Sequence, residues 1–124
     1  MRQTVRLFLV VEAVTFVLAS LVHTGVVLAG DEHRQAAIAE GVIGAILLVG
    51  LCLTAVWSGS TRTIGLTAQG LALLGTLVGA FTIAIGIGPR TLLDVVYHAA
   101  ILIALAWGLA VAARTPTAGQ GTSA

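Results

Sequence analysis

The sequence contains no lysine, a single cysteine and few aromatic residues, and each of these shortages excludes a class of protein. All six cationic residues are arginines and the net charge is only +1, unlike a nucleic-acid-binding surface or a polybasic lipid-binding segment. We therefore expect no nucleic-acid partner. The lone Cys52 cannot form a disulfide within the chain, and we expect it to be a small buried hydrophobe.

Charge is equally scarce, at 9% of the chain against about 25% in soluble domains. Hydrophobic residues make up 58% of the 124 positions, which predicts an all-α integral membrane protein, because about 20 apolar residues in a helix cross a bilayer. Four runs are long enough, at about residues 5–29, 35–57, 63–86 and 91–113. They predict a four-helix transmembrane bundle over residues 1–114, followed by a disordered cytoplasmic tail at 115–124.

The connections between the runs are short, which predicts antiparallel neighbours in an up-down-up-down order. The positive-inside rule assigns the loops with more arginines to the cytoplasm. Arg2, Arg6, Arg62 and Arg114 lie on the side of both termini, whereas Arg34 and Arg90 lie on the other. Both termini are therefore predicted to be cytoplasmic, in a multi-pass protein of the cell inner (plasma) membrane.

Residues that cap helices precede three of the runs. Asp31 precedes the second run, Ser60 and Thr61 precede the third, and Thr91 precedes the fourth. Thr91 and Asp94 also have the spacing of a capping box, in which each side chain bonds the backbone of the other residue. This pattern predicts that the fourth helix begins at this point.

Small residues recur along one face of the third run, where Gly75 and Gly79 form a GxxxG motif. Glycine lets two helix backbones approach closely, which favours association in lipid. The motif has two interpretations: packing inside the bundle, or contact between copies of the chain. Besides the lipid bilayer, the expected partners are therefore a second copy or the other subunits of a larger membrane complex.

Three ionisable residues on three different runs lie at similar predicted depths. His23 and Glu40 lie roughly 9 Å from the outer ends of their runs, and His98 lies roughly 12 Å from its own. Ionisable groups at membrane depth cost at least about 2.5 kcal/mol each and normally face the interior of the bundle. We therefore expect the three side chains to meet in one polar pocket in the outer leaflet.

Two imidazoles and one carboxylate in apolar surroundings are a ligand set for zinc, iron, copper or manganese. The sequence therefore predicts a transition-metal site of His23, Glu40 and His98. The other option is a b-type haem with His23 and His98 as axial ligands, with the glycines making room for the macrocycle.

His33, Asp94 and Tyr97 are predicted to line the same pocket. His33 shares a helical face with Glu40, and Asp94 shares one with His98. Asp94 is expected to support a ligating histidine by accepting its second ring N–H. The alternative is that Asp94 serves only the capping box and that His33 is simply solvated.

Glu12 lies about 16 Å further toward the cytoplasm than His23, so one metal ion cannot bind both residues. A carboxyl group at this depth can instead hold and release a proton, and Glu12 is predicted to handle protons in this way. The alternative is a hydrogen bond to Gln69 or to a threonine of a neighbouring helix.

Four short spans with a membrane-embedded glutamate in the first span resemble the small multidrug resistance exporters. The stretch "AEGVIG" at 39–44 is similar to a phrase of that family but lies in the second span. The family's aromatic pattern around the substrate is missing, since only 5% of this chain is aromatic. The resemblance is therefore limited to size, topology and Glu12, and membership of the family is not claimed. It implies a proton-coupled exporter in which Glu12 binds the proton.

The leading hypothesis is a small polytopic membrane protein that binds a metal ion or haem, as a redox or metal-handling module or an accessory subunit. The alternatives are a proton-coupled small transporter using Glu12 and a purely structural membrane subunit. No serine lies at the depth of the histidines, which disfavours a hydrolase and leaves open whether the protein is an enzyme.

Overall fold

The computed structural model describes residues 1–30 and 32–117. Within these residues the regular structure is entirely helical, with four long helices and a single 3-10 turn at Ser58–Ser60. The helices are α1 (Arg2–His23), α2 (Arg34–Val56), α3 (Thr61–Ala84) and α4 (Leu92–Arg114). All four are long and apolar enough to cross a membrane, as expected for an all-helical multi-pass membrane protein.

Helix α1 ends at His23, whereas the predicted span continues to residue 29. The chain leaves the helix at Gly25, which adopts a positive φ angle of 76° that glycine tolerates best. Gly30, further along the connection, also has a positive φ, of 102°. The His33 N–H then donates to the His23 carbonyl oxygen at 2.9 Å. His23 therefore lies in the last turn of α1, beside the start of α2.

Glu32 orders the connection between α1 and α2. Its carboxylate accepts a hydrogen bond from the Gly30 N–H at 3.1 Å while remaining exposed to solvent. This backbone hydrogen bond lowers the pKa of Glu32 below its usual value, because it favours the ionised form. The neighbouring Asp31, predicted to cap α2, lies outside the described residues.

The observed cap of α2 is His33, whose Nδ1 accepts the Ala36 N–H at 3.3 Å. At α3 the N-cap is Ser60, but its side chain makes no capping hydrogen bond. At α4 the predicted capping box is confirmed. Thr91 Oγ1 accepts the Asp94 N–H at 3.2 Å, and Asp94 Oδ2 accepts the Thr91 N–H at 3.0 Å.

Apolar side chains from all four helices form one buried core. Helix α1 packs mainly on α2, and α4 packs mainly on α3. The fully buried apolar side chains include Val5, Leu9, Ala13, Leu47, Ala72, Leu105 and Ala112. Large apolar side chains also cover the outside of the helices, where lipid would surround them.

Gly75 and Gly79 both face neighbouring helices of the same chain. A Cβ atom at Gly75 would lie 2.8 Å from Ile43 Cδ1 on α2, and one at Gly79 would lie 3.2 Å from His98 Nε2 on α4. These contacts belong to packing within the chain, which is one of the two interpretations of the glycine stripe.

The expectation that Cys52 is buried is wrong, because this side chain is exposed on the outer surface of α2. The inward face of α2 carries Leu47, Gly50 and Thr54, and Cys52 lies between these positions on the lipid-facing side.

The predicted tail at 115–124 lies largely outside the described residues, since positions 118–124 are not among them. Thr115, which is described, is buried, and its hydroxyl donates to the Val111 carbonyl oxygen at 3.0 Å. The packed part of the chain therefore continues at least one residue beyond α4.

Candidate functional site

A buried histidine joins two carboxyl groups at the end of the bundle where α1 leads into α2. His23 Nδ1 lies 2.7 Å from Glu40 Oε2, and His23 Nε2 lies 3.1 Å from Asp94 Oδ1. The three residues come from α1, α2 and α4, and each is at most 7% exposed. Both ring nitrogens of His23 are therefore occupied by hydrogen bonds. We call these three residues the carboxylate–histidine cluster.

With the two protons that its hydrogen bonds need, the carboxylate–histidine cluster has one net negative charge. Its two hydrogen bonds require two protons, which the imidazole ring and the carboxyl groups share. If both protons are on the ring, an imidazolium lies between two carboxylates. If one proton moves to a carboxyl group, a neutral imidazole lies beside one carboxylate, and the sum is again minus one. A buried net charge of this kind favours a cation nearby.

Asp94 belongs to both the capping box and the cluster, so its two predicted roles are compatible. Its Oδ2 accepts the Thr91 N–H at 3.0 Å and the Thr91 O–H at 2.5 Å, while Oδ1 faces His23. The N-terminus of a helix also favours a negative charge through its dipole. The start of α4 therefore holds the Asp94 carboxylate in one orientation.

Glu40 uses only one of its two carboxylate oxygens. Oε2 is bonded to His23, whereas Oε1 is buried and has no hydrogen-bond partner among the described residues. A buried polar atom without a partner costs about 1–3 kcal/mol, and more when it is charged. A buried polar atom without a partner in a folded protein indicates that a water molecule or ion binds there, or that the atom has a functional role.

His98 has its tautomer set by the backbone. Its Nδ1 lies 2.8 Å from the Asp94 carbonyl oxygen, which only accepts hydrogen bonds, so Nδ1 carries the hydrogen. In the neutral ring Nε2 then has a free lone pair, and it faces Gly79 on α3. The Tyr97 ring packs edge-on against the His98 ring with centroids 5.2 Å apart, and the buried Tyr97 hydroxyl makes no hydrogen bond within the described chain.

A cavity of about 240 Å³ lies against Glu40 and His98. Most of its wall is apolar, including Phe16 and Ile43. Its polar lining residues are His33, Gln35, Glu40, Thr76, Thr82 and His98. Glu40 and His98 therefore line one shared pocket between helices.

The predicted site residues are only partly brought together. Glu40 and Asp94 meet at His23, His98 reaches this group through the Asp94 backbone, and the His33 ring lies 6.5 Å from the His23 ring. Over the described ranges no group of three or more His, Cys, Asp or Glu side chains is placed to hold a metal ion.

Glu12 forms a separate site with Gln69 of α3, away from the carboxylate–histidine cluster. The Gln69 Nε2 group donates to both carboxylate oxygens of Glu12, at 3.2 and 3.1 Å. Both side chains are fully buried. The pairing with Gln69 is one of the alternatives stated from the sequence.

Periodicity along each helix indicates that His23, Glu40 and Asp94 face inward, but it does not show which atoms meet. The bridging position of His23 and the backbone hydrogen bond of His98 depend on contacts between helices or on ring orientation. Only the His98–Asp94 spacing of four residues signals in advance that this ring reaches the preceding turn.

Comparison with protein-family models, curated proteins and solved structures finds no match for this chain. The chemistry of the site is therefore the basis for a functional assignment.

Proposed function

We propose that the protein binds a transition-metal ion in the cavity, with Glu40 Oε1 and His98 Nε2 as its protein ligands. The observation that carries this proposal is the His98 Nδ1 hydrogen bond to the Asp94 carbonyl oxygen. Ligating histidines usually donate their other ring N–H to a carbonyl or carboxylate, which leaves the second nitrogen free for the metal.

Glu40 supplies a second donor group, because its side chain lines the same cavity. Its Oε1 is buried without a hydrogen-bond partner in the described part of the chain, and a metal ion would provide one. The carboxylate–histidine cluster also has a net negative charge, which a cation in the adjacent cavity would neutralise. Imidazole and carboxylate together suit zinc, iron, copper or manganese.

His23 acts in this proposal as a positioning residue, although the sequence predicted it as a ligand. Its two nitrogens hold Glu40 Oε2 and Asp94 Oδ1, so neither is free for a metal ion. By fixing Oε2, His23 leaves Glu40 Oε1 available. The same occupancy disfavours haem, because His23 would have to release a carboxylate to become an axial ligand.

His33 is not one of the ligands in this proposal. Its Nδ1 accepts the Ala36 N–H, so in the neutral ring the hydrogen is on Nε2. The remaining metal positions are left for water, since catalytic and transport sites commonly retain open positions. Thr76 and Thr82 line the cavity, and their hydroxyl groups donate to the Ala72 and Gly79 carbonyl oxygens, which leaves their oxygens able to accept hydrogen bonds.

We further propose that the helices alternate in direction, that both termini are cytoplasmic, and that the cavity lies in the outer half of the plasma membrane. In this orientation the protein is a metal-handling or redox module, or the accessory subunit of a larger membrane complex. Proton-coupled export through Glu12 gains no support from the cavity, which Glu12 does not line.

Equilibrium dialysis of the detergent-purified protein against Zn²⁺, followed by metal analysis, tests the proposal. We expect one Zn²⁺ per chain, and a loss of affinity of at least tenfold in both Glu40→Gln and His98→Gln. Asp94→Asn should weaken binding by about 10–100-fold, because the Asp94 carboxylate holds His23, which in turn positions the ligand Glu40. Glu32→Gln is the matched control, since it removes an exposed carboxylate outside the cluster.

Two outcomes would reject the metal site. One is a protein that keeps its helical circular dichroism but binds no Zn²⁺, Fe²⁺, Cu²⁺ or Mn²⁺. The other is Zn²⁺ binding that Glu40→Gln and His98→Gln leave unchanged. If these substitutions alter only the unfolding temperature, the hydrogen bonds of the cluster serve only to stabilise the fold, and the structural-subunit hypothesis is favoured.

A further inference from the structure

Glu12 and Gln69 form a second polar site inside the bundle. Both side chains are fully buried, and the Gln69 NH₂ group is the donor to both Glu12 oxygens. The amide oxygen of Gln69, Oε1, is buried and accepts no hydrogen bond from any described residue. The pair therefore has one buried acceptor without a donor.

An ionised Glu12 would be poorly compensated in this position. Over residues 1–30 and 32–117 both ion pairs belong to His23, and neither involves Glu12. A single neutral amide would then be the partner of a buried full charge, although burial of a charge requires pairing as well as hydrogen bonds. The surroundings therefore favour a neutral carboxyl group.

Space at the site excludes a bulky cation. The α4 backbone approaches the pair at Gly108, where an added Cβ atom would lie 2.6 Å from Glu12 Oε1 and would also collide with Gln69 Nε2. A hydrated metal ion needs more room than this. A proton needs no such room, because it bonds directly to the Glu12 carboxylate.

We propose that Glu12 and Gln69 form a proton-binding site within the membrane. The proton is bound to a carboxylate oxygen of Glu12. The Gln69 amide then turns from its observed position, in which Nε2 donates to both oxygens, so that Oε1 accepts the new O–H while Nε2 donates to the other Glu12 oxygen. The bound proton supplies the donor that Gln69 Oε1 lacks and removes the buried charge. Proton binding from water converts the carboxylate to a carboxylic acid and forms no other bond.

This site is independent of the proposed metal centre. Glu12 and His23 lie on the same helix eleven residues apart, which is about 16 Å along the axis. Neither Glu12 nor Gln69 lines the cavity beside Glu40 and His98. A failure of the metal proposal would therefore leave the proton site unaffected, and the reverse also holds.

Infrared difference spectroscopy of the whole protein in lipid at neutral pH tests the proton site. Subtraction of the Glu12→Gln spectrum from the wild-type spectrum should isolate one C=O stretch of a protonated carboxylic acid, shifted in D₂O. Glu32→Gln is the control, because the exposed Glu32 is ionised at neutral pH and should contribute only a carboxylate band. Loss of only a carboxylate band in Glu12→Gln would overturn the proposal.

Stability provides a second measurement. If Glu12 is a neutral acid, glutamine at position 12 should replace it closely, because two facing amides form the same pair of hydrogen bonds. We expect Glu12→Gln to fold and to unfold near the wild-type temperature, and failure to fold would contradict the proposal. In Gln69→Leu the acid C=O stretch should move to higher frequency as its hydrogen bonds are lost, and an unchanged band would also contradict it.

Discussion

His23 lies between two carboxyl groups in a part of the molecule from which solvent is nearly excluded. A buried ion pair is weak evidence for net stability, since desolvation offsets much of the attraction. Removal of the His23 side chain should nevertheless be costly, because Glu40 and Asp94 would then face each other without the imidazole that separates them. The single residue therefore determines whether the buried charge is tolerated.

We expect His23→Leu to lower the free energy of unfolding by about 3–5 kcal/mol, the cost of leaving a buried charge unpaired. Thermal unfolding in detergent, followed by circular dichroism, measures this loss. Adding Glu40→Gln to His23→Leu should restore part of the stability, because one of the two stranded carboxylates becomes neutral. Leu21→Ala, at an exposed position two residues earlier, is the control. Equal stability of wild type and His23→Leu would show that the cluster is not a charged network.

At the level of the helices, glycines determine how closely the backbones approach. Gly108 on α4 faces Glu12 and Gln69, and Gly65 on α3 faces Val5 and Ala112. Gly70 differs, because an added Cβ atom there would meet nothing within 4 Å. The same residue type is therefore required by packing at one position and is unconstrained at another.

The matched substitutions Gly108→Ala and Gly70→Ala test this difference. Gly108→Ala should destabilise the protein by about 1–3 kcal/mol, the usual cost of overpacking a core. Gly70→Ala should leave stability unchanged or raise it by about 0.5–1 kcal/mol, because alanine is the better helix former. Chemical unfolding in mixed detergent micelles measures both. Similar effects in the two variants would mean that helix propensity, and not close approach, governs these positions.

Taken as a whole, the molecule buries four ionisable side chains beside its apolar core, Glu12, His23, Glu40 and Asp94, and carries large apolar side chains on its outside. This is the distribution that a membrane requires. The large side chains left exposed are mainly aliphatic, and Trp57 and Trp107 are also at the surface. Near the start of α1, Arg6 donates to the Thr54 hydroxyl at 3.3 Å and to the Thr54 carbonyl oxygen, joining α1 to α2. The side of the membrane to which the cavity opens therefore depends on the orientation of the protein in the bilayer.

Orientation is tested with single cysteines in a Cys52→Ser background. Cys52 is exposed and makes no disulfide, so we expect its replacement to change stability by less than about 0.5 kcal/mol. A membrane-impermeant maleimide added to intact cells should label Val27→Cys and should label Gln3→Cys only after the membrane is opened. The opposite pattern would place the termini outside and the cavity on the cytoplasmic side.

Much of the architecture follows from local chemistry. The four spans, the capping box of Thr91 and Asp94, and the inward position of His23 and Glu40 depend on residues close in sequence, whose helical spacing is known. The early end of α1 was missed because Val26, Val27 and Leu28 extend the apolar run beyond Gly25, where the backbone turns. The lipid-facing position of Cys52 was missed because apolar character alone does not distinguish the core from the lipid.

Composition and periodicity alone determined that this chain is helical, that it is apolar enough to span a membrane, and which polar residues turn inward. Only the tertiary structure decided that His23 bridges Glu40 and Asp94, that His98 has one free nitrogen, and that Glu12 meets Gln69 beneath Gly108. The reason is physical: helix geometry relates residues three or four positions apart, whereas hydrogen bonds between helices depend on crossing and rotation, which the packing of all four helices sets together.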